Sequence, residues 1–440
     1  MRRVAPGTAI ALAFALLSWS APAAAYIDPG TGSALFYVIT GIVVSIYFGV
    51  RGLYYRAVEF VFRVRQKGQI CTVALHCEDP RYEMCFLPVV RELVKLGIEP
   101  TLFTMYPRDD SFEPLPAGVT HRAIAPGMVG YAYLNHIQAT LLVTTTPQLD
   151  VMTFRRSKRV KHYAMLQHAL GESRFVRPYA YDFYDSVLCC GEILRQNIRR
   201  METLRGARAK ELLETGLPHY EVLLDRARAA PSPGEKTVVL IAPSWGPLSM
   251  FEAFGTDFAA AVASKFQVIV RPHPQMKVSQ PALYEKILAL EGVEVDVGRT
   301  PSAAMARAHI VLSDISGISH EFAFIHERPV VVIDRKLALG GLEGELLGGD
   351  SELKQRCSEF IVPVPPEEIP NIVSHLARVL AAHAAQHIQR VRAEVVYNFG
   401  TASAVAARQL AEIYRRESAA VTASTPGHPV AAASMASGGQ

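Results

Sequence analysis

Val268-Ile269-Val270-Arg271-Pro272-His273-Pro274 and, further along, Ile310-Val311-Leu312-Ser313-Asp314-Ile315-Ser316-Gly317-Ile318-Ser319-His320-Glu321-Phe322 decide how this chain folds. Each opens on a run of apolar, mostly β-branched residues, which reads as a buried strand. Each then delivers polar groups at the strand's C-terminal end. Ligands of open α/β sheets bind at that edge. Two such strands aim Arg271, His273, Ser313, Asp314 and Ser316 at one rim, a set that suits a phosphate-rich ligand.

The alternation extends outward from these two segments. Before them, Thr237–Ala242 reads as a strand that ends in Pro243-Ser244-Trp245-Gly246. Phe254–Lys265, Ala282–Leu290 and Ser302–Arg307 read as helices, and Val293–Val297 and Pro329–Ile333 as further strands. Closer to the N-terminus a second alternation begins at strand Ile70–Leu75. It continues through helix Tyr82–Leu96, strands Pro100–Met105, Ala139–Thr145, His162–Leu166 and Ser186–Cys190, and helix Glu192–Arg205. Pro231-Ser232-Pro233-Gly234 is the breaker between the two sets. Late helices are expected over 366–383 and 386–416, and residues 417–440, rich in Ala, Ser, Gly and Thr, are expected to be disordered. Two Rossmann-like halves, 70–230 and 236–416, with late helices crossing back, make an α/β, GT-B-like layout with an interdomain cleft.

The composition leaves room for this layout and little else. Of 440 residues, 50% are hydrophobic and 20% charged, and the net charge is only +4. With no basic stripe interleaved with aromatics, nucleic acid is not an expected partner. The six cysteines, Cys71, Cys77, Cys85, Cys189, Cys190 and Cys357, form no CxxC pair and no Cys/His cluster, so the sequence offers no metal site and no disulfide framework. No cofactor motif is present either.

The N-terminus reads as a membrane address. Residues 1–25 have the form of a signal sequence or first membrane helix, with Arg2 and Arg3 ahead of an apolar stretch and Ala23-Ala24-Ala25 behind it. An uncharged run follows from Ala34 to Val50, within an anchor and basic juxtamembrane segment spanning 26–69. Arg51, Arg56, Arg63, Arg65 and Lys67 on its C-terminal flank place that flank in the cytoplasm, whether or not the first segment is cleaved. The expected location is the inner (cytoplasmic) membrane, with both halves on the cytoplasmic side.

Several residues carry chemistry at the expected rims. Asp314 or Ser316 can cap the helix that runs through Glu321, whose N-terminus then faces a phosphate, and Gly317 lets the backbone approach closely. Arg271 can fork onto phosphate oxygens, and His273 can donate to a bridging or leaving oxygen. In the N-terminal half, Gln167-His168-Ala169-Leu170-Gly171 follows a short strand, and His168 can take a proton from a hydroxyl. Arg155–Lys161 is a basic cluster open to an anionic acceptor, to lipid headgroups or to solvent. Glu321 is placed either to bond a ribose or merely to occupy a helical first turn. Ser244 and Trp245 point to the cleft.

These segments together resemble the CDP-glycerol glycerophosphotransferase family, the teichoic-acid-type polymerases and primases. The resemblance runs over QHALG at 167–171, GLPHYEVLL at 216–224, APSWG at 242–246, RPHP at 271–274 and SDISGISHEF at 313–322. It implies a GT-B fold, membrane association and transfer of glycerol phosphate from a CDP-linked donor to a lipid-linked glycan or glycerol-phosphate acceptor. Carried across, His168 resembles the family's loop histidine and base. Arg271 and His273 resemble its pyrophosphate-contacting pair, and Ser313, Asp314 and Ser316 its phosphate-binding helix start. The sequence departs from the pattern at Ala169-Leu170, where a glycine is usual directly after the histidine, and at Gly317, where a second serine is usual. A GT-B sugar-nucleotide glycosyltransferase, a UDP-sugar 2-epimerase-like enzyme and a non-catalytic envelope-glycan scaffold stay open as alternatives.

Overall fold

Runs such as VVLIA at Val238–Ala242 and IVLS at Ile310–Ser313 are buried at every position. Such burial requires cover on both faces, and that cover is what parallel βαβ units supply. The computed structural model describes residues 29–65, 70–298, 300–314, 316–335, 340–382 and 385–423. The segment read as a signal sequence, the end of the juxtamembrane stretch and most of the C-terminal tail lie outside the described residues.

Two parallel sheets result. The first holds β1 (Ile70–Cys77), β2 (Thr101–Thr104), β3 (Thr120–Ala123), β4 (Gln138–Thr144), β5 (Val160–Leu166), β6 (Ser186–Cys189) and β7 (Glu211–Glu214), in the order β3-β2-β1-β4-β5-β6-β7. The second holds β8 (Val238–Ala242), β9 (Gln267–Val270), β10 (Glu294–Val295), β11 (Ile310–Ser313), β12 (Val330–Ile333) and β13 (Ile361–Val364), in the order β10-β9-β8-β11-β12-β13. Each sheet is doubly wound, and its order reverses between the first and fourth strands of its set. That reversal opens a crevice at the C-terminal strand ends. With the crossing helices described next, this is the GT-B fold.

The chain ends by returning to its first half. Instead of one helix over 386–416, two form, Ala385–Val395 and Ala402–Ala423, separated by a turn in which Asn398 and Gly400 adopt positive φ. The second runs past residue 417, where disorder was expected, because Ala419, Ala420 and Ala423 favour helix. Its Ala406, Ala407, Leu410 and Ile413 are buried with Val73, Leu75 and Leu166 of the first sheet and Leu93 of the helix Glu83–Lys95. The turn is stapled to the N-terminal half: Tyr397 N–H donates to Cys190 O (2.9 Å) and Asn398 Nδ2 to Glu214 O (3.0 Å). Gly191 and Gly216 make this approach possible. A Cβ on Gly191 would collide with Val395 O, and one on Gly216, which has φ of +93°, with Tyr397 O. All six cysteines are buried and unpaired.

The N-terminal helix Pro29–Arg65 and the body form separate compact units. Within that helix Tyr37–Tyr54 is long and apolar enough to cross a membrane.

Candidate active site at the facing strand ends

Register decides what reaches the rim of the second sheet. Ile241 pairs with Val270, and Ala242 with Ser313, so β9, β8 and β11 end level. Arg271, Ser244 and Asp314 therefore leave the sheet side by side. Three of the polar groups at this edge are taken up in building it. Ser313 Oγ donates to Ala242 O (2.6 Å). The Asp314 carboxylate accepts the Ser244 N–H (2.7 Å) and the Met250 N–H (2.8 Å), and burial pushes its pKa up. The Arg271 guanidinium, 7% exposed, donates to Asp296 (2.7 Å) and to Gly298 O (2.8 Å).

Asp314 consequently does not cap the next helix, and neither does Ser316. The helix Ile318–His326 starts from Gly317, with φ −58°, ψ −25° and no side-chain cap. The capping expectation fails because the Asp314 carboxylate already serves the loop after β8. In front of Gly317 there is open space: a Cβ there would meet nothing within 4 Å. His273 is half-buried beside Trp245, with ring centroids 6.2 Å apart, and Trp245 is 48% exposed. His273 Nδ1 accepts the Gln275 N–H (3.1 Å), which leaves the ring proton on Nε2 as a donor. Burial first, then the charges of Arg81 and Arg271, lowers its pKa to about 4.

The first sheet has an equivalent rim. His76 pairs with Thr144, and Thr144 with Met165, so the exits of β1, β4 and β5 converge. After β1, Glu78 accepts from Tyr131 OH (2.8 Å) and Thr146 Oγ1 (2.9 Å), while Arg81 forks onto Asp79 (2.8 and 2.9 Å). Glu78, Asp79, Arg81, Tyr82 and Tyr131 line a cavity of about 270 Å³. His168, after β5, packs its ring on Tyr82 at 4.5 Å between centroids, and its buried Nδ1 has no hydrogen-bond partner. Burial lowers its pKa to about 4; His219 and Arg81 push the same way, and a hydrogen bond with the Thr145 backbone and the charge of Glu321 oppose them.

The halves meet around these groups. His219, 2% exposed at the start of the helix His219–Ala229, has Nδ1 at 3.7 Å from Cys85 Sγ. Its Nε2 lies 3.7 Å from Glu321 Oε1 of the other half. The charge of Arg81 lowers the pKa of both His168 in its own half and His273 in the opposite one. Elsewhere on the seam, Arg174 donates to the carbonyls of Gly348 (3.1 Å), Gly349 (2.8 Å) and Asp350 (2.8 Å), and Glu172 accepts the N–H of Glu352 (2.9 Å).

Of the residues singled out from the sequence, His168 and Glu321 stand close to the contact between the halves, His273 sits at the rim of the second sheet, and Gly317 starts the helix that carries Glu321. Sequence reasoning missed Glu78, Arg81 and Tyr82. Their signal was the same one used elsewhere: polar residues directly after a buried strand. It quoted His219 within GLPHYEVLL without giving it a role.

No family model matches the sequence, and no curated protein matches it. Solved structures match by shape. A form of the wall teichoic acid polymerase TagF soaked with CDPG superposes with a TM-score of 0.55 at 11% identity, over 85% of this chain and 97% of that one. A second form of that polymerase, a histidine-to-alanine variant, gives 0.53 at 12% identity, over 89% of this chain and 100% of that one. A third gives 0.51 at 14% identity, over 79% and 90%. At these identities the likeness is one of fold.

Proposed function

We propose that this chain is a membrane-anchored transferase that moves glycerol phosphate, or a closely related group, from a CDP-activated donor to a hydroxyl of a lipid-linked glycan or glycerol-phosphate acceptor. The observation that carries this reading is the pair of imidazoles that follow C-terminal strand ends of opposite sheets, His168 packed on Tyr82 and His273 beside Trp245 with Nδ1 taken by the Gln275 N–H; burial lowers the pKa of both. A neutral His168 accepts the proton of the acceptor hydroxyl. The hydroxyl oxygen attacks the β-phosphorus of the donor, the bond from that phosphorus to the bridging oxygen breaks, and CMP leaves with the electron pair. His273, with Nε2–H as donor, and Arg81 stabilise the charge that develops on the pyrophosphate oxygens. The open backbone at Gly317 receives the phosphate. Arg271, Ser313 and Asp314 act one step back by fixing the loops that present these groups. The resemblance of the five sequence segments and the likeness in fold to a teichoic acid polymerase support the donor class.

The experiment is a donor panel. The full chain in detergent is incubated with CDP- and UDP-linked donors and a lipid extract, and released CMP, UMP and UDP are measured. CMP release from CDP-glycerol that disappears in His168→Ala and His273→Ala is the expected outcome. UDP release from a UDP-sugar, with CDP-glycerol untouched, overturns the proposal.

A further inference from the structure

The seam between the halves carries an exposed apolar cluster at 175–183, 204 and 346. Phe175, Tyr179, Phe183, Leu204 and Leu346 are each between 41% and 50% exposed. One hydrogen-bonded network ties them together. Arg205, next to Leu204, bonds Asp182 (3.1 Å), which precedes Phe183, and Glu343 (2.9 Å), on the short helix that carries Leu346. Tyr179 N–H donates to the same Glu343 (2.8 Å), and the Arg205 guanidinium lies 4.5 Å from the Tyr179 ring. At the centre of the cluster two carboxylates share the one guanidinium of Arg205, and the exposed side chains around them are aromatic and aliphatic.

Cations surround it. Along 175–179 exposure alternates, so Phe175, Arg177 and Tyr179 stand out while Val176 and Pro178 turn inward. Arg200 lies one helical turn before Leu204 and is exposed. Arg208, close by, has a side chain 83% exposed. Arg155 and Lys158, of the basic run in the sequence, are exposed beside Arg156, which bonds Phe183 O (2.6 Å) and Asp185 (2.7 Å). The exposed acids close to this face are Asp150 and Glu345, whose carboxylates accept backbone N–H groups, and Asp350, whose carbonyl accepts from Arg174 (2.8 Å).

A protruding aromatic–cation–aromatic strip with a basic rim is the composition that suits the headgroup region of a bilayer. There the rings sit at the interface and the cations meet anionic lipid. The same chain carries an apolar helix of membrane-spanning length. We propose that this face of the body, built from 155–158 and 175–183, the end of the helix Glu192–Arg205 and the helix Glu343–Leu347, rests on an anionic lipid surface. The proposal stands independently of the transfer reading, since it uses none of the residues assigned to transfer and needs no donor.

The test follows hydrogen exchange by mass spectrometry with the full chain in nanodiscs, of zwitterionic lipid alone or with an anionic lipid added. Peptides covering 173–183 and 200–206 are expected to exchange several-fold more slowly in the anionic discs. The helix Asp257–Ala263 in the C-terminal half should be unaffected and serves as the control. The protection should vanish at about 1 M salt, where the Debye length falls to about 3 Å. Phe175→Ser with Arg177→Glu should weaken it about tenfold while leaving the melting temperature in detergent unchanged. Should that variant fail to fold, Arg208→Glu serves in its place. Equal exchange in the two lipids overturns the proposal. Protection that appears in detergent and grows with protein concentration overturns it as well, because a second copy then covers the face. Protection that persists at high salt and in Arg208→Glu likewise points to another occupant.

Discussion

His168 and His273 are neutral at physiological pH because both are withdrawn from water and both feel Arg81. In the proposed transfer a neutral His168 would be ready to take a proton over a wide pH range, at some cost in basicity. The acid limb of kcat/KM is therefore expected near pH 4, with activity level from neutrality down to about 5; a limb centred on 6.5 in the pH–rate profile would remove His168 from the base role. Gly317 allows a cleaner separation of binding from folding. Its φ of −58° and the open space before it accept a methyl group. Gly317→Ala should leave stability unchanged or raise it by about 0.5 kcal/mol. If the donor's phosphate comes up against that backbone, its KM should rise about tenfold, equivalent to about 1.4 kcal/mol. Thermal denaturation and donor titration of the same variant check both halves of the statement. Polar residues at strand ends were legible in the sequence as a class. Their duties were not, because Arg271 is claimed by Asp296, and Asp314 by Ser244 in the loop after a different strand.

At the scale of elements, the central strands were legible, and of the four edge strands only β10 was, within Val293–Val297. β1, β4, β8, β9, β11 and β12 are apolar runs because two faces and two neighbours cover them. β3 (THRA), β7 (ELLE) and β13 (IVPV) lie at sheet edges, are partly exposed, and carry charged residues or proline in place of a run. The crossing between the last two helices was read as continuous helix, although Asn398-Phe399-Gly400 is a turn signal. That crossing depends on Gly216, which combines a positive φ with the close passage of Tyr397. Gly216→Ala is expected to cost about 3 kcal/mol, seen as a lower melting temperature, whereas alanine at Gly234, with nothing within 4 Å, should be silent. Equal melting temperatures for the two variants would show that the turn at 396–401 yields easily.

At the scale of the whole molecule, the body stores many buried neutral imidazoles. Burial lowers His76 to about 3, and His168, His273, His320 and His326 to about 4, from an ordinary 6.5. The unfolded chain binds protons at these sites first, so their contribution is complete above pH 6.5 and is lost as pH falls through about 4. Calorimetry should record a melting temperature that declines steadily across that window; a flat profile there would contradict the burial of these rings. The sequence by itself determined the α/β alternation, the two-half layout, the apolar N-terminal helix and the pool of polar residues at strand ends, because each is written in local periodicity and composition. Only the tertiary structure decided which polar groups hold the frame and which face the seam. It also decided how His219 meets Glu321, and that one arginine serves imidazoles of both halves. Those outcomes depend on register and on partners brought from distant segments, and no local pattern encodes them.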